Sequence, residues 1–60
     1  MKIGDLVLDT VIDEMGIIVE IRTNKVIGAV HRFYVVQLAD DSCVLSVERD
    51  LELVSTGSIL

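Results

Sequence analysis

The chain has no proline and no tryptophan, and its aromatic residues are one Phe and one Tyr. Without proline, nothing bars any apolar segment from the middle of a sheet. With two rings, the chain cannot build the converging aromatic walls that hold a quaternary ammonium group or the aromatic-lined grooves that take proline-rich ligands. Cysteine occurs once, as Cys43, so no disulfide closes within the chain. His31 is the single histidine and stands twelve positions from Cys43, which leaves few soft metal ligands and predicts no metal and no cofactor. No run approaches the ~18–20 apolar residues of a spanning helix. The first residues, Met1-Lys2-Ile3-Gly4-Asp5, lack the apolar stretch of a signal peptide. A lone thiol without such a signal fits a reducing, cytoplasmic setting.

What is abundant is aliphatic. Ile, Val and Leu make up 24 of the 60 residues. A chain of this length is one domain, and it buries only about 60% of the surface it exposes when unfolded. With disulfides and metals set aside, oligomerisation remains the physical route to extra stability. At one inward residue in two along each strand, a sheet of this size takes in roughly a dozen side chains. The surplus aliphatics are expected outside, where a contiguous apolar patch marks an interaction surface.

β-Branched density and the lack of helical periodicity predict an all-β protein. Five strands are expected, near residues 5–9, 15–22, 31–38, 43–47 and 52–54. In the second, Ile17, Val19 and Ile21 share one face, and Glu20, Arg22 and Ile18 the other; the charged pair marks the outside, so the trio is expected in the core. In the third, Tyr34, Val36 and Leu38 are expected inside, with His31, Phe33, Val35 and Gln37 outside. Ile18, Phe33 and Val35 then form the predicted exposed apolar patch. Cys43, Leu45 and Val47 share a face of the fourth strand, with Cys43 read as inward. Ala39-Asp40-Asp41-Ser42 reads as a tight turn, and Glu48–Leu51 as one 3₁₀ turn before the last strand. Residues 1–54 make the domain; Ser55–Leu60 reads as a flexible or partner-docked tail.

Charge is segregated. The formal net charge is −5, yet residues 22–32 carry Arg22, Lys25 and Arg32 with no acid, a local +3 between two acidic ends. The segment Thr23–Val30 reads as a loop, with Gly28 as its corner and Val26, Ile27 and Val30 as unexpected apolar members. It is either packed across the end of the sheet or a docking loop flanked by those three cations. An acidic total opposes broad nucleic-acid binding, which needs basic surface.

The succession Gly4-Asp5-x-Val7, Gly16-Ile17-Ile18-Val19, Tyr34-Val35-Val36, Asp40-Asp41 and Asp50-Leu51-Glu52-Leu53-Val54 resembles the SH3-like small barrels. Within them it is nearest the KOW and Tudor-like group and short proteins of bacteriophages. The resemblance covers about residues 2–54. It implies a five-stranded, strongly bent SH3-like barrel with a 3₁₀ turn before its last strand, and a phage-encoded protein in the cytoplasm of a bacterial host or associated with the virion. The chain departs from KOW proteins in its acidic first loop, Thr10–Glu14, and from Tudor domains in lacking an aromatic cage. The fold alone serves many unrelated tasks.

No catalytic constellation is expected. Asp9, Asp13 and Glu14 lack the spacing of a calcium loop and read as a solvated acidic loop. His31 and Cys43 fall on opposite faces, which argues against a thiol–imidazole pair. The residues point to a non-enzymatic interaction or structural module that self-associates, as a homo-oligomer, or docks on a larger protein. Its expected surface is Ile18, Phe33 and Val35 with Arg22, Lys25 and Arg32. The alternatives are a KOW-like nucleic-acid binder using the basic segment, and a small acidic regulator of a host enzyme.

Overall fold

A computed structural model describes residues 1–57. It is all-β: strands β1 (Leu6–Asp9), β2 (Glu14–Val26), β3 (Ala29–Leu38), β4 (Cys43–Val47) and β5 (Leu51–Ser55), with a single 3₁₀ turn, Glu48–Asp50, between β4 and β5. The strands form one antiparallel sheet in the order β4-β3-β2-β1-β5. Consecutive strands β1 to β4 are neighbours, and the last strand returns to the free edge of the first, pairing Val7 with Leu53 and Asp9 with Leu51. Among the described residues, no helix is long and apolar enough to cross a membrane.

The core is small: Val7, Ile18, Tyr34, Val36, Leu38 and Leu51, with Ile21 and Val44 packed against it. The third strand places Tyr34, Val36 and Leu38 inside, as its alternation predicts. The second strand does not follow simple alternation. Ile18 pairs with Val36, but Glu20 pairs with Val35, so Val19 is an extra residue opposite a single step of β3. Such a bulge re-phases the strand. Ile18 before it and Ile21 after it both face the core, while Ile17 and Val19 are exposed. The expected inner trio of Ile17, Val19 and Ile21 is therefore corrected to Ile18 and Ile21. Gly16, also on the inner side, lies so close to β3 that a Cβ would sit 2.5 Å from the Gln37 carbonyl oxygen and 2.6 Å from Val36.

The fourth strand is corrected too. Cys43 pairs with Gln37 and Val36 with Val44, so the odd-numbered residues of β4 follow the outer face of β3. Cys43 is exposed, and Ser46 is the buried member.

Three buried polar residues tie the ends of the sheet together. The Asp5 carboxylate accepts hydrogen bonds from the Lys2 backbone N–H at 2.9 Å, the Lys2 ammonium at 3.1 Å and the Gly57 N–H at 2.8 Å. These donors hold its pKa at about 2, the Gly57 N–H contributing most. Gly57 fits because it has no side chain: a Cβ there would lie 2.6 Å from the Gly4 carbonyl carbon. β5 runs to Ser55, one residue past the expected boundary at Val54, and the Asp5 contact reaches Gly57. Its last residues, Ile59 and Leu60, lie outside the described residues. Asp9 accepts from the Val11 N–H at 3.0 Å and from the Ser46 hydroxyl.

Candidate functional site

The segment Thr23–Val30 is not a loop. β2 and β3 continue pairing past the sheet, through Arg22↔Phe33, Thr23↔Arg32, Asn24↔His31, Lys25↔Val30 and Val26↔Ala29. Ile27 and Gly28 make the turn, and Gly28 takes φ +81°, a conformation glycine adopts without cost. Five residues per strand at about 3.4 Å each carry Ile27 roughly 17 Å beyond the Arg22–Phe33 pair. Beyond the Arg22↔Phe33 pair neither β1 nor β4 pairs with this ribbon, and residues 22–32 are exposed. Val26 and Val30 are exposed apolar residues on it, and Ile27 at its tip is fully exposed.

Lys25 and Arg32 stand on the ribbon face that continues the inner side of the sheet, by alternation from the Ile21↔Tyr34 pair. Arg22 lies on the opposite face at the ribbon's base and is ion-paired with Glu20, which raises the guanidinium pKa through that hydrogen bond. The three cations thus share the ribbon but not one face.

Of the expected apolar patch, Phe33 and Val35 are together on the outer face of β3 and half-buried, while Ile18 is fully buried in the core. The bulge at Val19 is the reason for that correction. In its place the register brings Val47 beside Phe33 and Leu45 beside Val35, from β4. Leu45 is exposed and Val47 half-buried. Sequence alternation groups these two with Cys43 and turns them inward; the Asp9–Ser46 contact, which faces Ser46 inward, reverses that.

The first loop is apolar as well as acidic. Val11 and Ile12 are exposed in the turn that follows β1. Thr10 anchors this turn to the 3₁₀ segment, donating its N–H and hydroxyl to the Asp50 carbonyl at 2.9 and 3.0 Å. A cleft of about 280 Å³ opens between them, walled by Val11, Ile12, Phe33, Leu45 and Val47 and ending at Asp50. Asp13 follows in the same turn, Glu14 begins β2, and Glu48, whose carboxylate accepts from the Tyr34 hydroxyl at 3.4 Å, stands in the 3₁₀ turn with Arg49 as the one cation there. A second apolar depression, about 380 Å³, lies between the start of β2 and the β3–β4 turn, lined by Leu6, Met15, Ile17 and Leu38.

Among the described residues, no group of three His, Cys, Asp or Glu side chains converges as a metal site. Every buried side-chain polar atom among them has a hydrogen-bond partner. His31 is on the ribbon, paired with Asn24, while Cys43 pairs with Gln37 at the far end of β3. Comparison with family models, with curated proteins and with solved structures returned no match.

Proposed function

We propose that the chain is a non-catalytic protein-interaction module, built as an SH3-like small barrel, whose partner is another copy of itself. One observation carries the reading. Among the described residues, twelve large apolar side chains are at least 40% exposed, against six in the core. A domain whose surface carries more large apolar residues than its core gains stability by covering them. The barrel part rests on the strand order and on the Ser46–Asp9 bond, which joins strands three places apart across the curled sheet. As a phage-encoded protein it would act in a bacterial cytoplasm or on a virion, and the exposed Cys43 thiol fits a reducing compartment.

The test is absolute mass by size exclusion with light scattering across a concentration series. A mass above that of one chain, rising to a plateau, supports self-association. A monomer throughout the series, into the millimolar range, overturns it. A second reading, a nucleic-acid binder, is favoured by the ribbon, since a two-stranded β-ribbon fits a major groove and this one carries Arg22, Lys25 and Arg32. The net charge of −5 opposes it. Tight binding to duplex or single-stranded DNA or RNA that weakens steeply with salt would put this reading in front.

A further inference from the structure

The ribbon and the cleft are complementary in two independent respects. The ribbon tip presents a projecting apolar knob, Ile27, with Val26 and Val30 behind it; the cleft presents an apolar hollow. The ribbon is basic. Removing its +3 from the chain's −5 leaves −8 on the remainder, and two carboxylates of that remainder, Asp50 and the buried Asp9, line the cleft itself. The two cannot meet within one chain. Phe33 forms both the base of the ribbon and a wall of the cleft, so the tip is held roughly 17 Å from its own cleft by the paired strands.

We propose, building on the self-association reading, that the ribbon tip of one copy inserts into this cleft, beside Asp50, on another. Ile27 fills the hollow between Val11, Ile12 and Leu45, and Lys25, two residues from the tip, meets Asp50. Because the two surfaces differ, the contact either repeats head to tail, heterologously, into a ring or filament, or occurs twice in an isologous two-fold dimer in which each copy gives its ribbon and takes the other's. Opposite charge speeds the encounter and sets the register, and the apolar knob supplies the anchoring contact.

The experiment exploits the two different surfaces. Ile27→Asp disables the ribbon, and Val11→Asp disables the cleft; both positions are more than two-thirds exposed, so the fold is retained. Each variant alone is expected to associate on the order of 30-fold more weakly than the parent chain. Mixed, they are expected to form a 1:1 pair, because the intact ribbon of the Val11→Asp chain enters the intact cleft of the Ile27→Asp chain. Leu45→Arg is a second cleft variant, placing a cation against the basic ribbon, and serves if Val11→Asp loses the dispersed NMR spectrum of a folded chain. Association unchanged in both single variants overturns the ribbon-to-cleft contact while leaving self-association standing, as does loss in the ribbon variant alone. Two monomeric variants that fail to pair when mixed overturn it too. A monomeric parent chain overturns both readings.

Discussion

Ser46 on β4 donates its hydroxyl proton to the carboxylate of Asp9 on β1, although β3 and β2 lie between those strands in the sheet. The contact requires the sheet to curl until its fourth strand faces its first. It also places a carboxylate that is 3% exposed at the back of the cleft. Ser46→Ala leaves one oxygen of Asp9 buried without that donor, and a loss of about 1–3 kcal/mol is expected. Ser46→Thr, which keeps the hydroxyl, is expected to recover part of it. Urea unfolding of the three chains checks the order.

The bulge at Val19 makes two adjacent aliphatics differ sharply. Ile18→Ala is expected to cost about 2–5 kcal/mol, the range for truncating a buried Ile. Val19→Asp is expected to leave a folded chain, because that side chain is 40% exposed and its position is unpaired in the ladder. Thermal unfolding monitored by circular dichroism separates the two; a Val19→Asp chain without a cooperative transition would contradict the register.

Much of this was legible in the residues, and what was not has a physical reason. Gln37 and His31 mark the outside of β3 because polar side chains there break an otherwise apolar strand, so its inner face was readable. Ala39–Ser42 and Glu48–Asp50 were readable from residues that favour turns. β2 was misread because a bulge is a property of pairing: with Ile17, Ile18, Val19 and Ile21 all apolar, no side chain records where the period slips. The ribbon was read as a loop because alternation normally reports a buried face, and this hairpin has none. The cleft was missed because its walls come from the first loop, β3 and β4, which only the curled sheet brings together.

Asp5 makes stability depend on acid. Its pKa is about 2 in the fold, below the ordinary 3.8, because the charged form receives the Gly57 and Lys2 donors. A depressed carboxylate favours the folded state above its unfolded pKa, and that contribution fades as pH falls from near 3.8 toward 2. The urea midpoint is expected to drop across this window. In Asp5→Asn the midpoint is expected to be lower at neutral pH, with a shallower decline from pH 4 to 2.

Shortening the ribbon separates folding from association. Replacing residues 23–32 with a two-residue Asn-Gly turn removes side chains that are all exposed. The melting temperature of the isolated chain is expected to change little, while light scattering is expected to report a monomer. A large fall in melting temperature at low concentration would mean that the ribbon stabilises the single chain directly.

The placement of β5 beside β1 has a kinetic consequence. Leu6 meets Ser55 and Asp9 meets Leu51, contacts that close almost the full length of the chain, whereas the β2–β3 and β3–β4 hairpins close short loops. Local pairings form early because their closure costs less entropy, and the β1–β5 seam is the late step. Until Leu51 arrives, β1 has an open edge able to accept a strand from another chain. Leu51→Ala is therefore expected to accelerate unfolding with little change in the refolding rate, readable from the two arms of a stopped-flow chevron. On the ribosome, the same seam means that β1, made before the other four strands, waits for β5 before its outer edge is covered.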